Sequence, residues 1–254
     1  MSWTAIVLAG SRPGRDSFAE QFSTDLKALI PVAGEPMVCR PVRALVATKG
    51  IGKILVLTQA PDRIAAVLPK SRRIKILESQ GTIAETIENL IFKHVADFPI
   101  LVTTADHSLL DPEMIAEFID YAEGVDVAIG VVERQTLLAR LPQSKRTWLP
   151  FRGGAYSGAN LFAFGSIKAL AAIEQWRSVE QDRKKGWRVL SALGPVLLLG
   201  ALLRLRTIHQ SVSAIAGKLG MTARAVVLGD PLAAVDVDKP IDHAIVEAIL
   251  AGKA

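Results

Sequence analysis

The chain is poor in thiols. Its 254 residues include one cysteine, Cys39, which excludes an internal disulfide and a thiol-rich metal cluster and fits a reducing cytoplasm. The four histidines (His94, His107, His209 and His243) form no pair with the spacing of a zinc site. No Gly-x-Ser-x-Gly elbow is present to seat a serine nucleophile. Aromatic residues are only 6% of the chain, and no stretch interleaves them with lysine or arginine. Stacking surfaces for bases are therefore not built in, and no nucleic-acid partner is expected. The first residues hold no basic stretch leading into an apolar core, so no secretory signal is read there. Internal repeats and low-complexity tracts are missing as well.

What is present is apolar and slightly basic. Half of the residues are hydrophobic and the formal net charge is +5. A sizeable core can be buried, and the charge suits anionic ligands or an acidic membrane surface. Short apolar runs recur with helix-like segments between them. Strands are expected at 4–8, 53–58, 74–78, 99–103, 125–132, 159–164 and 223–228. Helices are expected at 36–47, 61–68, 82–95, 112–123, 166–176, 211–219 and 242–250. This alternation predicts an α/β fold, a mostly parallel sheet with helices on both faces. No linker divides it, so residues 1–254 read as one domain with a helical insertion around 166–220. Ligands of such sheets lie beyond the carboxyl ends of the strands.

The first strand opens into Gly10-Ser11-Arg12-Pro13-Gly14-Arg15. The loop is neither a Walker A loop nor the three-glycine dinucleotide fingerprint. Its chemistry nevertheless serves phosphate: glycines bring backbone N–H groups close, and Arg12 and Arg15 neutralise charge. Lys27 adds a further cation. Asp106 ends the fourth apolar run, where a carboxylate could hold Mg²⁺ or cap the next helix. Asp236 and Asp238 share one face if 235–239 is extended; alternatively, Asp238 or Asp242 satisfies free N–H groups as a helix lead-in. Ser79-Gln80-Gly81-Thr82 is either a base-contacting turn or a helix cap. The segment 153–162, with Ser157, Gly158 and Asn160, is either an acceptor-contacting turn or a plain turn feeding a strand.

Leu8-Ala9-Gly10-Ser11-Arg12-Pro13-Gly14-Arg15, then Lys27-Ala28-Leu29 and Gly34-Glu35-Pro36-Met37, resembles the signature of nucleotidyltransferases with a GT-A-like, Rossmann-like fold, the MobA-like NTP transferases. The departure from that signature is in the loop core, where Ser11 and Pro13 replace glycine-rich positions. The resemblance implies a Mg²⁺-dependent enzyme. It would join an NTP to a phosphorylated small acceptor (sugar, polyol, cofactor or lipid-headgroup phosphate) and release pyrophosphate. It also implies catalytic roles for Arg15, Lys27 and Asp106, and nucleotide contacts from Leu8, Ala9, Gly10, Ser11, Arg12, Gly14, Gly81 and Thr82. Acceptor contacts would come from Ser157, Gly158 and Asn160, and metal ligands from Asp106, Asp236 and Asp238. A non-catalytic nucleotide-binding protein and a nucleotide-sugar glycosyltransferase are the alternative readings.

One stretch stands apart. Residues 189–203 are almost wholly apolar and flanked by Arg183, Lys184, Lys185, Trp187, Arg188, Arg204 and Arg206. At about 15 residues the run is shorter than the roughly 20 a membrane span requires. It reads as a buried or subunit-packing helix of a homo-oligomer, or as a peripheral contact with the inner membrane face through 187–206. The protein is otherwise expected in the cytoplasm.

Overall fold

A computed structural model describes residues 2–11, 14–79, 81–181 and 205–253. Arg12, most of 187–206 and the apolar run 189–203 lie outside the described residues. No described helix is long and apolar enough to cross a membrane.

The centre is an eight-stranded sheet. Strand β1 (Trp3–Leu8) is flanked by β4 (Ile51–Thr58) and β6 (Ile100–Thr104), both parallel to it. Beyond β4 lies β5 (Ile74–Glu78), also parallel. On the other side β9 (Gly154–Phe164) runs antiparallel between β6 and β7 (Val127–Glu133). β10 (Ala223–Val227) pairs in parallel with β7, and β8 (Leu149–Phe151) pairs with β9. A second, two-stranded piece joins β2 (Pro31–Val32) to β3 (Glu35–Pro36).

The apolar runs are continuous because both faces of the sheet are covered. In β1, Ala5 and Val7 enter one core with α2 (Cys39–Ala47), α5 (Pro112–Ala122) and α9 (Pro240–Leu250). Ile6 points to the other core, with α4 (Ile83–Phe92), α7 (Leu170–Gln181) and α8 (Ile208–Lys218). β4 alternates the same way, with Ile54 and Val56 against Leu55 and Leu57. Three short helices complete the described set: α1 (Ser17–Glu20), α3 (Pro61–Ala65) and α6 (Arg134–Arg140).

From β1 the chain builds outward through β4 and β5, then returns to the opposite side of β1 as β6. The loops after β1 and β6 therefore part at adjacent strand ends, the arrangement that opens a ligand crevice in α/β sheets.

Two expected boundaries are corrected. The helix expected at 36–47 begins at Cys39, because Glu35 and Pro36 pair with Val32 and Pro31 around a two-residue turn. Ala33 and Gly34 both take positive φ there (51° and 80°), the signature of a tight hairpin. The strand expected at 159–164 begins at Gly154, so the segment holding Ser157, Gly158 and Asn160 is strand rather than turn.

Candidate active site

The end of β1 is fixed by backbone bonds to both neighbours. Ala9 N–H donates to the Leu57 carbonyl at 2.8 Å, and Ala105 N–H donates to the Leu8 carbonyl at 2.9 Å. Leu8, Ala9, Gly10, Lys27 and Asp106 line one recess at this point. Gly10 packs against the Gln59 side chain, whose amide would have to move aside for any larger residue. A Cβ there would lie 2.9 Å from Gln59 Nε2 and 3.0 Å from Gln59 Oε1. That amide oxygen accepts the Ser11 N–H at 2.9 Å and sets the direction in which the loop leaves the strand. The Ser11 hydroxyl is buried and has no partner among the described residues.

Lys27 enters from a 3₁₀ turn, Lys27–Leu29, that is anchored from behind. Val38 N–H donates to the Ala28 carbonyl at 3.0 Å, and Met37 N–H to the Ile30 carbonyl at 2.8 Å. The ammonium thus points into the recess. It donates to Asp106 Oδ2 at 2.6 Å and also to Asp238 Oδ1. The other oxygen of Asp106 accepts the Thr104 hydroxyl at 2.5 Å.

Asp238 arrives on a strap, 235–238, that crosses the sheet's carboxyl edge. The strap is tied to the strand end by Val237 N–H, which donates to the Asp106 carbonyl at 3.0 Å. Its far end is tied to α9 by Asp242, which accepts the N–H groups of Asp238 (3.3 Å) and Lys239 (3.0 Å). The helix lead-in is therefore Asp242, and Asp238 is turned to Lys27.

Asp236 has different partners. Both terminal nitrogens of Arg146 donate to its carboxylate, and Asn160 Nδ2 donates at 2.9 Å. The Arg146 and Asp236 side chains are only 17% and 14% exposed. Asn160 reaches the strap through a bulge. Between Ile129 and Val131 the partner on β9 jumps from Phe162 to Gly158, and Asn160 takes φ 49°. Such bulges re-aim a side chain, and asparagine tolerates the left-handed region. Gly130, opposite the bulge, gives it room: a Cβ there would meet Leu161 Cβ at 3.1 Å.

Charge and burial act against each other here. Burial pushes the Asp106 carboxyl upward in pKa, and the Lys27 charge and hydrogen bond pull it back. Burial also works against the Lys27 ammonium, but Asp106 and Asp238 outweigh it, so its pKa is raised. The Arg146 guanidinium behaves likewise, held charged by Asp236 against the cost of burial.

His107, next in sequence, is fully buried. Its Nδ1 lies 3.4 Å from the Thr103 hydroxyl, and the ring also meets the backbone of Ala233. Burial lowers its pKa to about 4, with the Asp236 charge opposing. His107 is thus neutral at neutral pH and turned into the protein. The unfolded chain binds this proton more readily than the folded one. The stabilisation from keeping the ring neutral is complete above about pH 6.5 and is lost as pH falls through 4. Denaturant unfolding should show the protein losing about 3 kcal/mol through this group between pH 7 and pH 4. His107→Asn should flatten that slope, whatever its stability at pH 7.

Other residues singled out from the sequence are dispersed. Arg15 pairs with Glu20 at 2.7 Å and its side chain is 89% exposed, outside the recess. Gly14 has φ 111°. Thr82 caps α4 in a reciprocal box with Glu85, and Gly81, at φ 75°, packs its Cα beside that glutamate. Both sit after β5, on the same carboxyl edge of the sheet as Gly10. Ser157 is buried at 5% exposure and is the register partner of Val132. Gly158 faces open space. Of the three acceptor-side residues, only Asn160 joins the acidic cluster. Gln59 and Arg146 are the additions that sequence reading missed. Gln59 follows a strand at the crevice, which was a usable signal. Arg146 lies in the polar loop after α6, where no periodicity marks it.

Among the described residues, no group of three or more His, Cys, Asp or Glu is arranged as a metal cage. Asp106 and Asp238 do converge on a single cationic nitrogen. Two hard carboxylates with further positions left to phosphate oxygens and water are the donor set that Mg²⁺ takes, so the residues fit that ion. A wider depression of about 540 Å³ against β10, lined in part by Tyr121, His209 and Arg224, holds none of these groups. Its size does not make it the site.

The model of a protein family described as MobA-like NTP transferase domain matches residues 5–196. A solved structure described as a hypothetical transferase from Thermus thermophilus is 30% identical, with TM-score 0.79, covering 96% of this chain and 100% of its own. The 4-diphosphocytidyl-2C-methyl-D-erythritol synthase of Anaerococcus prevotii is 12% identical at TM-score 0.62, covering 98% and 96%. A CMP:2-keto-3-deoxy-manno-octonic acid synthetase in complex with CTP is 14% identical at TM-score 0.59, covering 100% of both chains. At those identities the last two establish the shared fold. No curated protein matches the chain in sequence.

Proposed function

Because this chain belongs to the MobA-like NTP transferase family, we propose that this nucleotidyltransferase joins an NTP to a phosphorylated small acceptor with release of pyrophosphate. An acceptor phosphate oxygen attacks the α-phosphorus in line. The bond from that phosphorus to the bridging oxygen of the β-phosphate breaks, and pyrophosphate leaves with the bond's electrons. The observation that carries the reading is the meeting of Lys27, Asp106 and Asp238 beside the Gly10 loop.

The protein's work is alignment and charge balance. Backbone N–H groups of the loop at Gly10 and Gly14 would face phosphate oxygens; the Ser11 N–H would join them only on exchanging Gln59 for phosphate, and the buried Ser11 hydroxyl would gain a partner there. Lys27 carries its charge to the phosphates and the leaving pyrophosphate. Arg15 would add a second cation on exchanging Glu20 for phosphate. Asp106 and Asp238 would hold Mg²⁺, which supplies charge neutralisation across the phosphate oxygens. Asp236, already bound by Arg146 and Asn160, braces the strap from the acceptor side. Asn160 and the open face at Gly158 mark where the acceptor enters. Gly81 and Thr82 stand on the base side. Such a reaction places the enzyme in the cytoplasm, where NTPs and phosphorylated metabolites are plentiful.

Pyrophosphate release is the direct test. ATP, GTP, CTP and UTP, each with Mg²⁺, are offered with a panel of phosphorylated sugars, polyols and lipid headgroups. Release with at least one pair is the expected result. Hydrolysis of a nucleotide-sugar with no use of any NTP would move the protein to the glycosyltransferase alternative.

A further inference from the structure

Lys27 and the two carboxylates constrain the order in which ligands can enter. One ammonium nitrogen lies 2.6 Å from Asp106 Oδ2 and is bonded to Asp238 Oδ1 as well. Lys27 and Asp106 have side chains only 21% and 18% exposed, so this pairing is largely shielded from water. A divalent ion bound by the same two oxygens needs the place the ammonium fills. Two cations cannot share it at that distance without strong repulsion.

The lysine has room to answer. Its four-carbon stem is flexible and its head is a point charge without fixed directionality. Once displaced from Asp106, the ammonium is stable only beside another anion, because a shielded and unpaired charge is costly. The loop that would receive a triphosphate begins in the same recess.

We propose that Lys27 is a built-in counter-ion for the metal site, an inference that rests on the reading of the preceding subsection. It keeps Asp106 and Asp238 paired until a triphosphate takes up the ammonium, and the metal then occupies the carboxylates. Metal and nucleotide are bound as a coupled pair, and each raises the protein's affinity for the other by the same factor. The metal ion alone binds weakly, because it must expel a cation that has nowhere else to go.

Mn²⁺ binding to the protein without nucleotide, read by electron paramagnetic resonance of the free ion, tests this. Lys27→Met should bind Mn²⁺ about tenfold or more tightly than the wild type. Adding Asp106→Asn to that variant should remove the gain. Lys27→Gln keeps a hydrogen-bond donor without the charge and serves if the Met variant does not fold. Equal Mn²⁺ affinity in wild type and variant overturns the exchange, as does absence of binding in both. Neither result touches the proposed reaction, which is judged by pyrophosphate release from the wild type.

Discussion

Asp106→Asn is expected to lower the proposed Mg²⁺-dependent pyrophosphate release by about 10²–10³-fold, the loss typical of removing one group that balances charge in a transition state. The substitution keeps the shape of the side chain and an oxygen for the Thr104 hydroxyl, now 2.5 Å away. Far-UV circular dichroism should therefore be unchanged. Turnover is expected to fall far more than nucleotide affinity, because the loop proposed to face the phosphates is untouched. Full activity in this variant would remove Asp106 from the reaction and leave the recess without its acid.

Arg146→Ala acts on stability. The arginine and Asp236 are both largely shielded and bonded through two nitrogens. Removing one partner of such a pair leaves a charge with too little compensation, at about 3–5 kcal/mol. Asn160 still donates to Asp236, which places the expected loss at the lower end. Urea unfolding reads it directly. The double variant Arg146→Met with Asp236→Leu should recover most of the loss, since an apolar pair of similar volume replaces the ions. A single variant as stable as the wild type would show that the pair contributes nothing to holding the strap.

The sheet was legible because burial on both faces writes itself into the sequence. β1, β4, β6 and β7 are continuous apolar runs, and β5 coincides with the expected 74–78. Of the cap candidates around 79–82, Thr82 caps α4 by chemistry that needs no tertiary partner, reciprocated by Glu85. Elements whose shape is imposed from outside were not legible. Gly154, Ala155, Ser157 and Gly158 carry little strand preference, yet pairing with β7 and β8 makes them strand. α6 and β8 lie between 133 and 158, where no element is expected from the sequence. At the site, Lys27 stands out by its charge and Asp106 by its place at a strand end, while the resemblance leaves Asp236 and Asp238 equivalent. Spacing alone could not separate them. What separates them is Arg146, 90 positions away in the chain, which takes Asp236 and leaves Asp238 to Lys27.

The bond from Val237 N–H to the Asp106 carbonyl has a consequence for assembly. Lys27 and Asp106 are 79 positions apart in the chain, and Lys27 and Asp238 are 211 apart. Contacts of such range cost loop entropy before they are rewarded. The cluster therefore forms only after the sheet between its members has been built, and the Lys27–Asp238 pair reports the finished fold rather than any one part of it.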